Sequence, residues 1–133
     1  MMYVMEAAEG GWICHTDILY GNQKELGVFA VASAVNELAA RGVETVKLYA
    51  QITLPAGSDR SVIHPMRKCM ERSARQVSAE LLKVEGGLSP AVRFPMITVT
   101  AAGNCMEQKD MPEKDPAKEA GRDIVQVGRA GLA

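Results

Sequence analysis

Between Leu26 and Ala40 the chain carries apolar side chains on more than one side of the helix it would form. Leu26, Ala30, Ala34 and Leu38 make one stripe at helical spacing, and Val28, Val31 and Val35 make another. A helix lying on a protein surface needs a single stripe. This segment therefore has to be covered twice, either between a sheet and a second layer or by another subunit, and for a chain of 133 residues a homodimer is the expectation. The helix reads from Lys24 to Arg41 and is closed by Gly42, the residue type that most often ends helices.

Inside that stretch stand Asn36 and Glu37. Burying an amide without a partner costs about 2–7 kcal/mol, and a bare carboxylate costs more. The pair needs a partner from the protein, a metal or a ligand; an exposed or internally paired position is the plain alternative.

Other elements follow from period and punctuation. Tyr3 to Met5 and Gly11 to Thr16 flank Glu9-Gly10-Gly11 and read as two strands of a hairpin. From Val43 to Leu54, apolar Val46, Leu48, Ala50, Ile52 and Leu54 alternate with Lys47, Gln51 and Thr53, which is a strand with one buried face. Pro55-Ala-Gly-Ser58 is a turn with Ser58 as N-cap, and a second helix runs to about Leu82. Pro65 either kinks this helix or marks its true start. Leu82 to Glu85 reads as a short strand ending in Gly86-Gly87, and Phe94 to Ala102 as a β-branched strand. Residues 106–121 form a polar connection before a last strand, Asp123 to Val127. The predicted class is α+β, with two helices on one face of a mixed or antiparallel sheet.

Composition narrows the functions. With 47% hydrophobic residues the chain can bury a core as one domain, and a net charge of -1 provides no general attraction for nucleic acid or anionic lipid. The longest apolar run, Gly27 to Val35, is too short for a membrane span, and Met1 to Glu6 lacks a signal-peptide n-region. A cytoplasmic protein with neither membrane nor nucleic-acid partners is expected. Cys14, Cys69 and Cys105 are odd in number and widely spaced, as reduced thiols would be.

Few groups carry chemistry. Asp17, placed where the strand Trp12 to Thr16 ends, suits a magnesium anchor, because Mg2+ takes one or two protein carboxylates and completes its shell with water and phosphate oxygens. A turn or capping aspartate is the alternative. Glu37 is a second oxygen donor that could converge with it. Glu85-Gly86-Gly87-Leu88-Ser89 offers backbone N–H groups that would face an anion if the glycines turned the chain at positive φ; a plain turn uses the same residues. His15 and His64 stand alone, and no Ser-His-Asp set, Walker A loop or GxGxxG motif is present.

Several segments, taken in order, resemble the N-terminal domain of the aminoimidazole ribonucleotide (AIR) synthase superfamily, the PurM/HypE-like proteins. They are Thr16-Asp17, Lys24-Glu-Leu-Gly27 running into Ala34-Val-Asn-Glu-Leu-Ala-Ala-Arg-Gly42, Leu54-Pro-Ala-Gly-Ser58, Glu85-Gly-Gly-Leu-Ser89, Phe94-Pro-Met-Ile-Thr-Val-Thr-Ala-Ala-Gly103 and Gly121-Arg-Asp-Ile-Val125. The resemblance implies a PurM N-terminal domain-like α+β fold over residues 1–128, pairing through its sheet with a second copy, with residues 129–133 opening a second domain. It also implies ATP and Mg2+ as ligands for ATP-dependent phosphoryl transfer. Asp17 falls on a family metal or nucleotide aspartate, and Asn36-Glu37 falls on an Asn-Asp pair. By this resemblance Asp17 and Glu37 would hold Mg2+, while Asn36, Gly86, Gly87 and Ser89 would touch the nucleotide. The family's His-Thr-Glu after the diglycine is replaced by Leu88-Ser89-Pro90. Two functions remain open: a nucleotide-binding domain not catalytic alone, or a non-catalytic dimerisation or ligand-binding module with a degenerate ATP site.

Overall fold

The computed structural model describes residues 2–7, 10–22 and 25–105. The expected connection at 106–121, the strand at 123–127 and the start of a second domain at 129–133 lie outside the described residues. The elements are β1 (Met2–Ala7), β2 (Gly10–Tyr20), α1 (Leu26–Ala39), β3 (Val46–Pro55), a 3-10 turn (Arg60–Val62), α2 (Ile63–Gln76), β4 (Glu80–Ser89) and β5 (Met96–Cys105). They form a five-stranded sheet in the order β1-β2-β5-β3-β4. β3 and β4 pair in parallel across the α2 crossover, and every other neighbour is antiparallel. This is the expected mixed sheet of an α+β fold, with both helices on one face.

The period-2 pattern of β3 decides that face. Val46, Leu48, Ala50, Ile52 and Leu54 are all buried, while Lys47, Tyr49 and Gln51 stand exposed on the other side. Ile97, Val99 and Ala101 of β5 and Ile13 of β2 continue the same core. α1 lies over β2 and β5 and also packs against α2. Two neighbours explain its two stripes: Leu26, Ala30, Ala34 and Leu38 are buried together with Val31 and Val35. The double stripe is therefore satisfied within one chain. No described helix is long and apolar enough to cross a membrane.

Helix ends follow their local chemistry. Gly42 takes φ +77°, its N–H reaches the Ala39 carbonyl at 3.0 Å, and the Val43 N–H reaches Leu38 at 3.2 Å. That is the Schellman arrangement, closed by buried Val43 against buried Leu38. The cap expected at Ser58 is made by Asp59, whose side chain accepts from the Ser61 N–H at 2.9 Å. Pro65 sits in the first turn of α2, where its missing N–H leaves no bond unmade. The helix stops at Gln76, short of Leu82, because Ser78 turns the chain at φ +56°.

Two strands are longer than expected, and both differences move site residues. β2 continues through Asp17 to Tyr20, because Ile18, Leu19 and Tyr20 pair with Thr98, Ile97 and Met96 of β5. β4 runs through the diglycine, since its parallel ladder to β3 continues to Pro55 opposite Ser89. Gly86 is needed there for closeness: a Cβ would lie 2.6 Å from Cγ2 of Ile63 at the start of α2.

Candidate functional site

Side chains alternate along β2, so Ile13, His15 and Asp17 point to the helix-covered face. Asp17 lies in mid-strand opposite Val99 and not at the strand's end. Its Oδ1 is 2.7 Å from Nε2 of His15, two residues back on the same face. Its Oδ2 accepts from the Ser33 hydroxyl of α1 at 2.5 Å. A strand and a helix thus hold one carboxylate by both oxygens, and its side chain stays 23% exposed, enough for a ligand to reach. Partial burial pushes the Asp17 pKa up, but the hydrogen bonds from Ser33 and His15 outweigh that and hold it below the ordinary carboxylate range.

Glu37 and Asn36 are both exposed near the C-terminal end of α1. The desolvation cost that seemed to require a partner for them does not arise, because neither is buried. Glu37 follows Ser33 by four residues, so it shares that helix face one turn further along. Asp17 and Ser33 therefore meet between β2 and α1, with Glu37 one turn beyond Ser33 on the helix.

The diglycine belongs elsewhere. Gly86 and Gly87 are extended residues of β4 and not a turn at positive φ. Gly87 and Ser89 share the uncovered sheet face with Glu85, whereas Gly86 faces α2. Glu85 there accepts from Lys83 Nζ and from the Tyr49 hydroxyl, each at 2.5 Å. Those two donors, Lys83 first, keep its carboxyl below the usual range. From β2 to β4 is three strand spacings, about 14 Å. Asp17 and the diglycine of one chain therefore do not ligate the same ion.

Among the described residues no three His, Cys, Asp or Glu side chains gather as a metal-holding group. One carboxylate with the remaining positions left to water and phosphate is nevertheless an ordinary magnesium arrangement, and Asp17 fits it; Glu37 does not gather with the His15–Asp17 pair. Cys14 and Cys69 are free thiols. An open cleft of about 500 Å3 lies at the end of α2, lined by Glu71, Arg75, Ser78 and Glu80 among others, and includes none of the candidates.

Ser33 and His15 were not singled out as site residues from the sequence. Ser33 looks like a small residue of an apolar helix. His15 could have been found by extending β2 past Asp17, which puts residues two apart on one face.

No family model and no curated protein matches the chain. Solved structures do. The chain superposes on AaThiL complexed with AMPPCP and TMP with a TM-score of 0.67 at 16% identity, over 79% of this chain and 36% of that one. Thiamine monophosphate kinase from Aquifex aeolicus gives 0.64 at 15% identity, over 77% and 37%. The hydrogenase maturation protein HypE in complex with ATP gives 0.60 at 19%, over 75% and 32%. The chain shares its α+β fold, of the PurM-like kind expected from the sequence, with these proteins. The chain spans about a third of the length of each of those proteins. In it Asp17 meets Ser33 between β2 and α1, and the diglycine lies in the edge strand β4.

Proposed function

We propose that the chain is the nucleotide-binding domain of a protein performing ATP-dependent phosphoryl transfer. The observation that carries this reading is Asp17, a partly exposed carboxylate held by both oxygens between β2 and α1, in a fold shared with proteins crystallised with ATP or AMPPCP. Asp17 would bind Mg2+ directly, and Glu37, one turn beyond Ser33, would act on the ion through its water shell. Bound magnesium would neutralise phosphate charge and hold the phosphates in line for transfer. Asn36 would offer its amide to the nucleotide. Gly86, Gly87 and Ser89 would meet phosphate or ribose at a separate point, since they are about 14 Å away across the sheet. Turnover would need groups beyond these, supplied by a further domain or another copy.

Calorimetric titration with Mg2+-ATP tests the reading. Binding by the unmutated chain, lost in Asp17→Ala and weakened in Glu37→Ala, is expected. No binding by the unmutated chain would remove it.

One observation favours a second reading, a dimerisation or ligand-binding module with a degenerate ATP site. The uncovered sheet face exposes Ile18 and Tyr20, and Leu88-Ser89-Pro90 stands where the resemblance expects His-Thr-Glu. A chain that self-associates without binding Mg2+-ATP would decide for it.

A further inference from the structure

We infer that His15 and Ser33 are positioning residues, which orient the Asp17 carboxylate so that its remaining lone pairs meet the metal-bound nucleotide. The inference rests on the nucleotide reading of Asp17 given above. An ionised carboxylate only accepts hydrogen bonds, and it has about four lone-pair sites. His15 and Ser33 fill one on each oxygen and leave one on each for a ligand. An aspartate terminal torsion is broad and roughly two-fold, so a single donor would leave the carboxylate free to swing. Two donors from two elements fix it. Ser33 is itself held in place because Ala30 and Ala34, on the same stretch of α1, are fully buried.

The second observation is the cost of this arrangement. Since Asp17 cannot donate, Nε2 of His15 must carry the proton, and in the neutral ring Nδ1 is then a bare acceptor. Nδ1 is buried and has no hydrogen-bond partner among the described residues. An acceptor left in that state destabilises a fold. An apolar side chain at residue 15 would avoid the cost, so packing alone gives no reason for an imidazole there. Its one bond goes to Asp17, and that is where its value lies.

Outer groups that orient a metal ligand typically change metal affinity by about 10- to 100-fold when removed. Titration of the 133-residue chain with Mg2+-ATP should therefore show Ser33→Ala and His15→Leu binding at least about 10-fold more weakly. Ser33→Thr, which keeps the hydroxyl, should bind within about 2-fold of the unmutated chain. A structural role alone would lower the melting temperature and leave affinity intact. Imidazole nitrogen shifts of the free protein should report the Nε2–H tautomer of His15.

The inference is overturned if Asp17→Ala loses binding while Ser33→Ala and His15→Leu keep it, or if His15 carries its proton on Nδ1. If the unmutated chain does not bind, or Asp17→Ala binds as well as it does, the nucleotide reading falls and this inference falls with it. The tautomer measurement separates an error in the clamp from an error in the ligand.

Discussion

Asp17 remains anionic to lower pH than an ordinary aspartate because Ser33 and His15 donate to its two oxygens. The sign of the consequence follows from linkage. With its folded pKa below the unfolded value of about 3.9, Asp17 contributes stability that is fully present above that pH and is lost as pH falls through the folded value. Asp17→Asn should thus be less stable than the unmutated chain near pH 7, and the gap should narrow below about pH 4. Urea unfolding at a series of pH values measures this; a gap constant from pH 7 to pH 3 would contradict it. At this scale the sequence was only partly legible. Asp17 could be singled out from its type and neighbours, but its partners could not, since Ser33 is sixteen residues away and meets it only once α1 folds back over β2.

The helices end by the same device with different residues. α1 closes on Gly42 at φ +77°, whereas α2 closes on Ser78 at φ +56°, with the Ala79 N–H on the Ala74 carbonyl at 2.9 Å. Left-handed backbone costs an L-residue about 1 kcal/mol, and glycine is largely spared it. Ser78→Gly should therefore stabilise the domain by about 0.5–1 kcal/mol, seen as a higher urea midpoint at unchanged slope. A lower midpoint would mean that Ser78 makes a contact outweighing its backbone strain. The elements themselves were legible wherever a period was regular, as in α1 and β3. They were misread where pairing overrides local signals: β2 runs past Asp17 and β4 past Gly86-Gly87 because partner strands continue beside them. Diglycine suggests a turn by its freedom, but here Gly86 serves by its lack of a side chain beneath Ile63.

At the scale of the molecule, the helices cover one sheet face, and among the described residues no element covers the other. That face presents Ile18 at 60% exposure and Tyr20 at 72%. Four strands of ten or eleven residues and a fifth of six cover at most roughly 24 by 33 Å, near the ~800 Å2 per partner that stable interfaces bury. If two copies pair through this face, Ile18→Lys with Tyr20→Lys should convert a dimer to a monomer in light scattering, with the far-ultraviolet spectrum unchanged. A monomer before mutation would end the dimer proposal. The reason first given for a dimer, the double stripe on α1, has been answered inside the chain by α2. The sequence by itself determined the α+β class, both helices, the buried face of β3 and the chemistry available, because propensity, period and capping act over a few neighbouring residues. Only the tertiary structure decided that Asn36 and Glu37 are exposed, that Asp17 is held between His15 and Ser33, and that the diglycine lies three strands away. Burial and partnership depend on which distant segments come together, and no local pattern records that.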